Sequence, residues 1–407
     1  MLLGFKTRVE LNNKQRTLAM QHAGVARHAY NWGVAHCAKA YEETKKIPSA
    51  IDLHKLLVRD VKSVNPWYYE VSKCAPQQAL RNLSNSYNNF HTKQKKNGYK
   101  LLRKTKHGNV LEGLPKFKKK GQCEDKFYLE GNILIDGNKI KVPYFGWLKC
   151  NEVLPICDVK NVTISRVADD WFISYKRPLK IEDTVKNKCI VGVDLGIKTL
   201  ATLSDGVVYP SIKPYKKQKR KLRILQRKQS KKHKKGVKEQ SNNYKKASLK
   251  VAKLHQKISC IRNDYTHKLT TYLAKNHGEI VIEDLHVRGM SKNHQLASAI
   301  LDGGFFEFRR QLEYKTKMHG ADLTVVNRSY PSSKTCSCCG KKKKDLKLSD
   351  SIFKCECGYE ADRDLNAAIN LVKMAVSYTD IQNACGGTKN VANCSNDTYE
   401  TGIKQQL

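Results

Sequence analysis

The chain has 407 residues, enough for two or three domains and at least one sizeable core. Its 76 Lys+Arg against 37 Asp+Glu give a formal charge of +39, while 40% of the residues are hydrophobic. That balance excludes a globally disordered chain and points to a polyanionic partner, nucleic acid first. No apolar run approaches the ~18 residues of a spanning helix, and MLLGFKTRVELNN lacks the order of a secretory signal. A cytosolic protein with a nucleic-acid partner and without a membrane partner is expected.

In chain order, GFKTRVEL predicts a strand, followed by a helix through LAMQHAGVARHAYNWGVAHCAKAYEE. There Leu18, Val25, Tyr30, Val34, Ala38 and Tyr41 recur at helical spacing. A second helix is predicted after Ser72, a capping residue, with Ala79, Leu80, Leu83, Tyr87 and Phe90 as its apolar stripe. Lys73, Gln77 and Arg81 recur every fourth residue on the other face. They suit phosphate and base-edge contacts, or form an ordinary solvated face. Residues 91–121 are strongly basic and broken by Gly and Pro; Lys118, Lys119 and Lys120, flanked by aromatics, read as a groove tracking a phosphate backbone. The short alternating segments that follow, with Gly-Asn and Asp-Gly turns, predict a small β-barrel into which the two helices are inserted.

A boundary falls near IEDTVKNK, residues 181–188. Beyond it, CIVGVDLGIKTLATLSDGVVY predicts two apolar strands around a Gly turn. The lysine-dense stretch 213–262 predicts a basic helical hairpin broken at Gly236, with Leu222, Leu225, Leu249, Leu254 and Ile258 at helical spacing. Its charge either faces solvent or lies beside a phosphate backbone. The tail after Tyr378 is polar and is predicted to be loosely ordered.

Three carboxylates stand at the ends of apolar segments: Asp194 after CIVGV, Glu283 after EIVI and followed by Asp284, and Asp364 at the start of a short helix in DRDLNAAINL. Each has a plain alternative, as turn former, exposed strand end and helix cap respectively. Together, in so basic a chain, acid kept beside the nucleic acid suits divalent cations. Two-metal phosphodiester hydrolysis needs carboxylate oxygens holding two hard cations ~4 Å apart, and Mg²⁺, or Mn²⁺ in its place, takes only a few protein oxygens.

Fourteen cysteines in a chain without an export signal fit a reducing cytosol better than a disulfide framework. Nine (37, 74, 123, 150, 157, 189, 260, 385 and 394) are scattered and read as small buried hydrophobes. The pairs Cys336/Cys339 and Cys355/Cys357, each followed by Gly, suit one structural tetrahedral Zn²⁺ in a ribbon, with Cys338 as a substitute ligand.

Taken in order, GVARHAYNWGV, LPKFKKK, GVDLGIKTLATLSDG, RNDYTHKLT, IVIEDL, YPSSKTCSCCG and DRDLNAAINL resemble the TnpB (OrfB) family of transposon-encoded RNA-guided nucleases, relatives of the type V CRISPR nucleases. The resemblance implies an α+β multidomain chain. Residues 1–185 would form a wedge-like β-barrel with an inserted helical recognition lobe (helices at about 12–95). Residues 186–334 would hold the first two blocks of a RuvC-like, RNase H-type nuclease with the basic hairpin at 213–275. A zinc ribbon at 335–358, the third nuclease block at 359–378 and the tail at 379–407 complete the chain.

The resemblance also implies guided cleavage of double-stranded DNA beside a short transposon-associated motif, with a guide RNA from the element's end and one protein per RNA. Its catalytic acids fall on Asp194, Glu283 and Asp364, and its zinc ligands on Cys336, Cys339 and Cys357; at Cys355 the family more often has one more residue between the pair. Nucleic-acid contacts fall on Arg27, Tyr30 and Asn31 of the first motif and on Lys116, Lys118, Lys119 and Lys120 of the second. Two other functions stand beside this one: a guide-dependent RNA/DNA-binding regulator that does not cut, and an accessory transposase protein.

Overall fold

The computed structural model describes residues 2–96, 102–105, 108–111, 113–178, 189–237, 239–347 and 350–383. The chain divides into two units, Met1–Leu179 and Lys180–Leu407.

The first unit opens with β1 (Leu2–Glu10) and a 32-residue helix, α1 (Asn13–Thr44). A reciprocal cap starts α1: the Gln15 amide donates to Asn12 Oδ1 at 2.8 Å and the Asn12 amide to Gln15 Oε1 at 3.1 Å. Lys45, in the left-handed conformation, ends it. The buried stripe runs from Ala19 to Cys37; Ala38 and Tyr41 are exposed, because the last turns of α1 extend past the core. Then come α2 (Ala50–Leu56), a π-type turn (Leu57–Lys62) and α3 (Cys74–Lys96). The predicted stripe of α3 is buried throughout, and Ser72 Oγ accepts from the Cys74 amide at 3.3 Å.

Strands β2 (Leu102–Thr105) and β3 (Gly108–Leu111) pair with each other. Strands β4 (Asp125–Glu130), β5 (Leu134–Asp136), β6 (Lys139–Val142), β7 (Gly146–Cys150), β8 (Asn161–Val167) and β9 (Asp170–Pro178) join β1 in one antiparallel sheet, in the order β4-β8-β9-β1-β7-β6-β5. The first strand is therefore central, paired from Leu2↔Pro178 to Val9↔Trp171. No pairing joins β4 to β5 among the described residues, so the expected barrel is met as an open seven-stranded sheet. The strands at the β5 end, of three and four residues, offer too few ladder bonds to close it. A single apolar core links the sheet to α1, α2 and α3.

In the second unit, β10 (Ile190–Leu195), β11 (Thr199–Leu203) and β12 (Val208–Pro210) form an antiparallel meander. Helices α4 (Pro214–Ser230) and α5 (Asn242–Asn276) follow as the expected hairpin, and Gly236 stands in its turn. The seam of the hairpin is Leu222, Leu254 and Ile258; none of the 17 residues of α4 is acidic. Strand β13 (Glu279–Glu283) lies parallel to β10, and after α6 (Val287–Met290), α7 (Ala297–Gly303) and α8 (Phe305–His319) strand β14 (Asp322–Val326) lies parallel to β13. The sheet order is β12-β11-β10-β13-β14. Last come the hairpin β15 (Ile352–Lys354) and β16 (Glu360–Asp362) and then α9 (Arg363–Asn383).

Alternation along the central strands sorts their side chains between two faces. Val191, Val193, Ile280 and Ile282 pack with Leu269 and Leu273 of α5 and Phe308 and Leu312 of α8. Ile190 and Val281 face the opposite way, against Leu371 and Ala375 of α9.

Two further expectations are corrected. The third-block helix is not short: LVKMAVSY continues its apolar pattern, so 379–383, assigned to the tail, belong to α9, while the rest of the tail lies outside the described residues. Of the scattered cysteines only Cys37 and Cys150 are buried; Cys74, Cys123, Cys157 and Cys189 are half-buried, and Cys260 is exposed because it lies off the α4–α5 seam. Cys385 and Cys394 lie outside the described residues, as does the segment 181–188.

Candidate active site and thiolate centre

The parallel register of β10 and β13 runs from Ile190↔Glu279 to Val193↔Ile282. One step further sets Asp194 beside Glu283, the last residue of β13. Asp194 lies two residues beyond Gly192, and Glu283 two beyond Val281, so both point to the face covered by α9. Gly192 lies so close to α9 that a β-carbon there would stand 2.0 Å from the Ala368 carbonyl oxygen. From Gly192 to Asp194 the strand advances about 6.6 Å; from Ala368 back to Asp364 the helix retreats about 6 Å. The two carboxylates therefore meet at the same level, and Glu283 stands next to them.

The electrostatics follow from that convergence. Burial pushes the Asp194 carboxyl up to about 7; the neighbouring Asp364 and Glu283 push the same way, and Arg363 partly offsets them. Glu283 is also raised, by burial first and then by Asp284. Asp284 is the opposite case. It accepts from Arg328 and from Arg309 (2.5 Å), and those bonds hold its carboxyl below the usual range. Being neutralised by two arginines, it is the wrong member of the Glu-Asp pair to receive a cation.

Asp364 accepts at Oδ1 from Arg363 Nε (3.2 Å) and Nη2 (3.0 Å), and at Oδ2 from the Thr199 hydroxyl (3.4 Å). The cap is supplied by Asp362, whose Oδ1 accepts from the Asp364 and Leu365 amides at 2.9 and 3.1 Å. Asp364 is thus relieved of capping.

Cys336, Cys339, Cys355 and Cys357 place their sulfurs within 4.8 Å of one another. The Cys336–Cys357 and Cys339–Cys355 separations are 3.7 and 3.6 Å. A tetrahedron with Zn–S bonds of about 2.3 Å has edges of about 3.8 Å, so the set fits zinc. Each pair sits on a knuckle whose glycine takes a positive φ, Gly340 at 75° and Gly358 at 83°; the Gly340 amide donates to Cys336 O and the Gly358 amide to Cys355 O. Cys355 completes the group despite its one-residue spacing, and Cys338 lies outside it, exposed.

Two buried asparagines of α9, not singled out from the sequence, tie this centre to the carboxylates. Asn366 Oδ1 accepts from the Ser337 amide (2.9 Å) and its Nδ2 donates to Thr335 O (2.8 Å); Asn370 Nδ2 donates to Ser332 O and Thr335 O (2.8 and 2.6 Å). Asparagine at i and i+4 inside an apolar helix is a poor helix former, and that was the available signal. Asn366→Ala leaves the buried Ser337 amide unpaired. A loss of about 1–3 kcal/mol is expected in chemical denaturation, without loss of the thiolate site.

In the first unit, the nucleic-acid candidates divide. Arg27 Nη1 pairs with the buried Asp125 at 2.9 Å. Tyr30 is buried beneath Lys118, whose Nζ stands 3.6 Å from the ring centroid. Asn31 exchanges two hydrogen bonds with the Lys118 backbone, at 2.7 and 2.9 Å. Tyr30 and Asn31 thus join the two N-terminal motifs inside the fold, and Arg27 ties α1 to the first residue of β4. Lys116, Lys119, Lys120 and Arg81 are exposed and Gln77 is half-buried. Lys73 precedes the first residue of α3 and lines a cleft with Lys62, Tyr69 and Tyr144.

Family models described as "Probable transposase", "Cas12f1-like, TNB domain" and "Helix-turn-helix domain" match residues 169–294, 305–371 and 1–46; the last range here forms one strand and one unbroken helix. The chain is 33% identical over 391 residues to "Putative RNA-guided DNA endonuclease InsQ" of Escherichia coli K12, covering 91% of this chain and 92% of that protein. It is 31% identical over 413 residues to "Putative RNA-guided DNA endonuclease" of Streptomyces pristinaespiralis, covering 99% and 95%. A solved structure, "Cryo-EM structure of the Cas12f1-sgRNA-target DNA complex", matches with a TM-score of 0.51 at 16% identity over 91% of this chain and 98% of that one, a likeness of fold. With such identity sustained over nine-tenths of its length, the chain belongs to the TnpB (OrfB) family of transposon-encoded proteins.

Proposed function

We propose that this protein is an RNA-guided DNA endonuclease that cuts target DNA beside a short transposon-associated motif. The observation that carries the reading is the meeting of Asp194, Glu283 and Asp364 on the α9 side of the central strands. The order β12-β11-β10-β13-β14, an antiparallel meander with two further parallel strands, supports an RNase H-type, RuvC-like core. The names of its relatives support guide RNA and DNA as partners, as does the +39 charge. The first unit is read as the wedge-like domain with its helical lobe, and residues 335–358 as the zinc ribbon. Among the described residues no helix is long and apolar enough to cross a membrane.

An all-oxygen donor set, with a carboxyl pushed up by burial and then by its acidic neighbours, fits Mg²⁺. Asp194, Glu283 and Asp364 would hold two such ions, which when bound supply an activated water and charge neutralisation for phosphodiester hydrolysis. The chain's own part is to present the acids. The strand ends fix Asp194 and Glu283, Thr199 and Arg363 fix the Asp364 rotamer, and Asp284 keeps Arg309 and Arg328 off Glu283. Protein purified with its co-expressed RNA is expected to cut a matched duplex in Mg²⁺ and to stop in EDTA. Guided binding without cutting in either Mg²⁺ or Mn²⁺ would make the protein a regulator instead.

The ribbon carries its own expectation. Elemental analysis should find one zinc per chain in the wild type and in Cys338→Ser, and a clear loss in Cys355→Ser. Since α9 leaves directly from β16, zinc removal should also lower thermal stability, because metal binding and ribbon folding are one equilibrium.

A further inference from the structure

A cleft of 440 Å³ lies between α1 and the segment 66–70, within the first unit. Gly24 lies in its wall, and a β-carbon there would meet only Arg27 Nη2, at 4.0 Å. Trp67 forms one side. The residue is 36% exposed, yet its ring is fixed: Nε1 donates to Asn65 Oδ1 at 3.1 Å, and Tyr68 and His28 pack against it with centroids 4.5 and 5.1 Å away. An exposed aromatic face held rigid is a stacking platform.

The charge of the cleft does not favour phosphate. Arg27 pairs through Nη1 with Asp125 and turns Nη2 toward the Gly24 wall, the Glu70 carboxylate balances it across the cleft, and burial holds His28 below the usual histidine range, hence neutral near pH 7. Glu70 supplies a carboxylate; its Oε2 accepts from Gln21 Nε2 at 3.3 Å, and Oε1 has no partner among the described residues. In so basic a protein, a cleft that offers an aromatic face and a free acceptor but no surplus of positive charge selects a base rather than a backbone. A carboxylate acceptor pairs with an exocyclic amino group, such as cytosine N4.

We propose that this cleft holds one unstacked nucleobase carrying an exocyclic amino group, its face on Trp67 and its amine donated to Glu70 Oε1. The inference rests on the nucleic-acid reading above, and the probes are fluorescein-labelled octamers of ribocytidine and ribouridine. Full-length protein should bind the cytidine octamer at least about fivefold more tightly by fluorescence anisotropy, with the same salt dependence for both. Glu70→Met, which keeps the length but removes the acceptor, should abolish that preference without changing the salt dependence, and Trp67→Ala should weaken the cytidine octamer to the uridine level. Gly24→Leu, which adds bulk without removing a contact, should do the same if the cleft is the site. Equal wild-type affinity for the two octamers overturns the proposal, as does a preference that survives both Gly24→Leu and Glu70→Met. Failure to bind either octamer overturns the nucleic-acid reading itself.

Discussion

Asp194→Asn is expected to abolish cleavage, by about 10³-fold or more, while making the metal-free protein more stable at pH 8. The first effect follows from the role proposed for Asp194, since the substitution would remove a negative ligand from a site whose chemistry depends on charge. The second follows from what the carboxylate costs when no cation is bound. In the folded chain the Asp194 carboxyl is pushed from 3.8 up to about 7, by burial and by Asp364 and Glu283. Below about pH 4 it is protonated whether the chain is folded or not, and stability is at its full value. Between about pH 4 and 7 the unfolded chain has shed a proton that the folded chain keeps, so stability falls as pH rises and levels off above 7. Asparagine mimics the protonated form at every pH. The margin of Asp194→Asn over wild type should therefore grow across that window to on the order of 2–4 kcal/mol. Melting in EDTA from pH 5 to pH 8 measures it, and added Mg²⁺ at pH 8 should raise the wild-type midpoint more than the variant's. A margin that does not change with pH would refute the electrostatic account of the site.

The elements of this site were legible from the chain because each is local. CIVGVD and EIVIE are apolar runs that end in acid, and the cysteine pairs carry their glycines with them. Long-range relations were not legible. Nothing in GFKTRVEL says that its partners are β9 and β7, well over a hundred residues away. Nor does GVARHAYNWGV say that Tyr30 and Asn31 will be spent on Lys118. Motif residues that meet nucleic acid and motif residues that hold two segments together look alike in sequence, since both are polar or aromatic at fixed spacing. Asp362 and Asp364 could be told apart only by resemblance; in the fold, backbone geometry gives the cap to one and frees the other. The choice of Glu283 over Asp284 likewise depends on arginines 25 and 44 residues away in sequence.

The same packing makes Gly192→Ala the most damaging small substitution expected in the second unit. Its β-carbon would lie 2.0 Å from the Ala368 carbonyl oxygen and 3.0 Å from the carbonyl carbon, both backbone atoms. No rotamer change relieves such a clash, so α9 must move off β10. Overpacking of this kind costs typically 1–3 kcal/mol and sometimes more, and the upper end is expected here because a whole helix shifts. Function should suffer beyond stability. Asp364 rides on α9 and Asp194 on β10, and a displacement of about 1 Å between positioned groups can cost about 10²-fold in rate. Ala368→Gly should not rescue the variant, because the obstructing atoms belong to the main chain; rescue would show that the contact is with a side chain and overturn the argument. Gly4→Ala, where a β-carbon meets nothing within 4 Å, supplies the control and should melt within a degree or two of wild type. Cleavage measured well below the melting point of Gly192→Ala separates the two effects: a folded, guide-bound and slow enzyme is the expected result, since the glycine sets the distance at which the helix can deliver its acid.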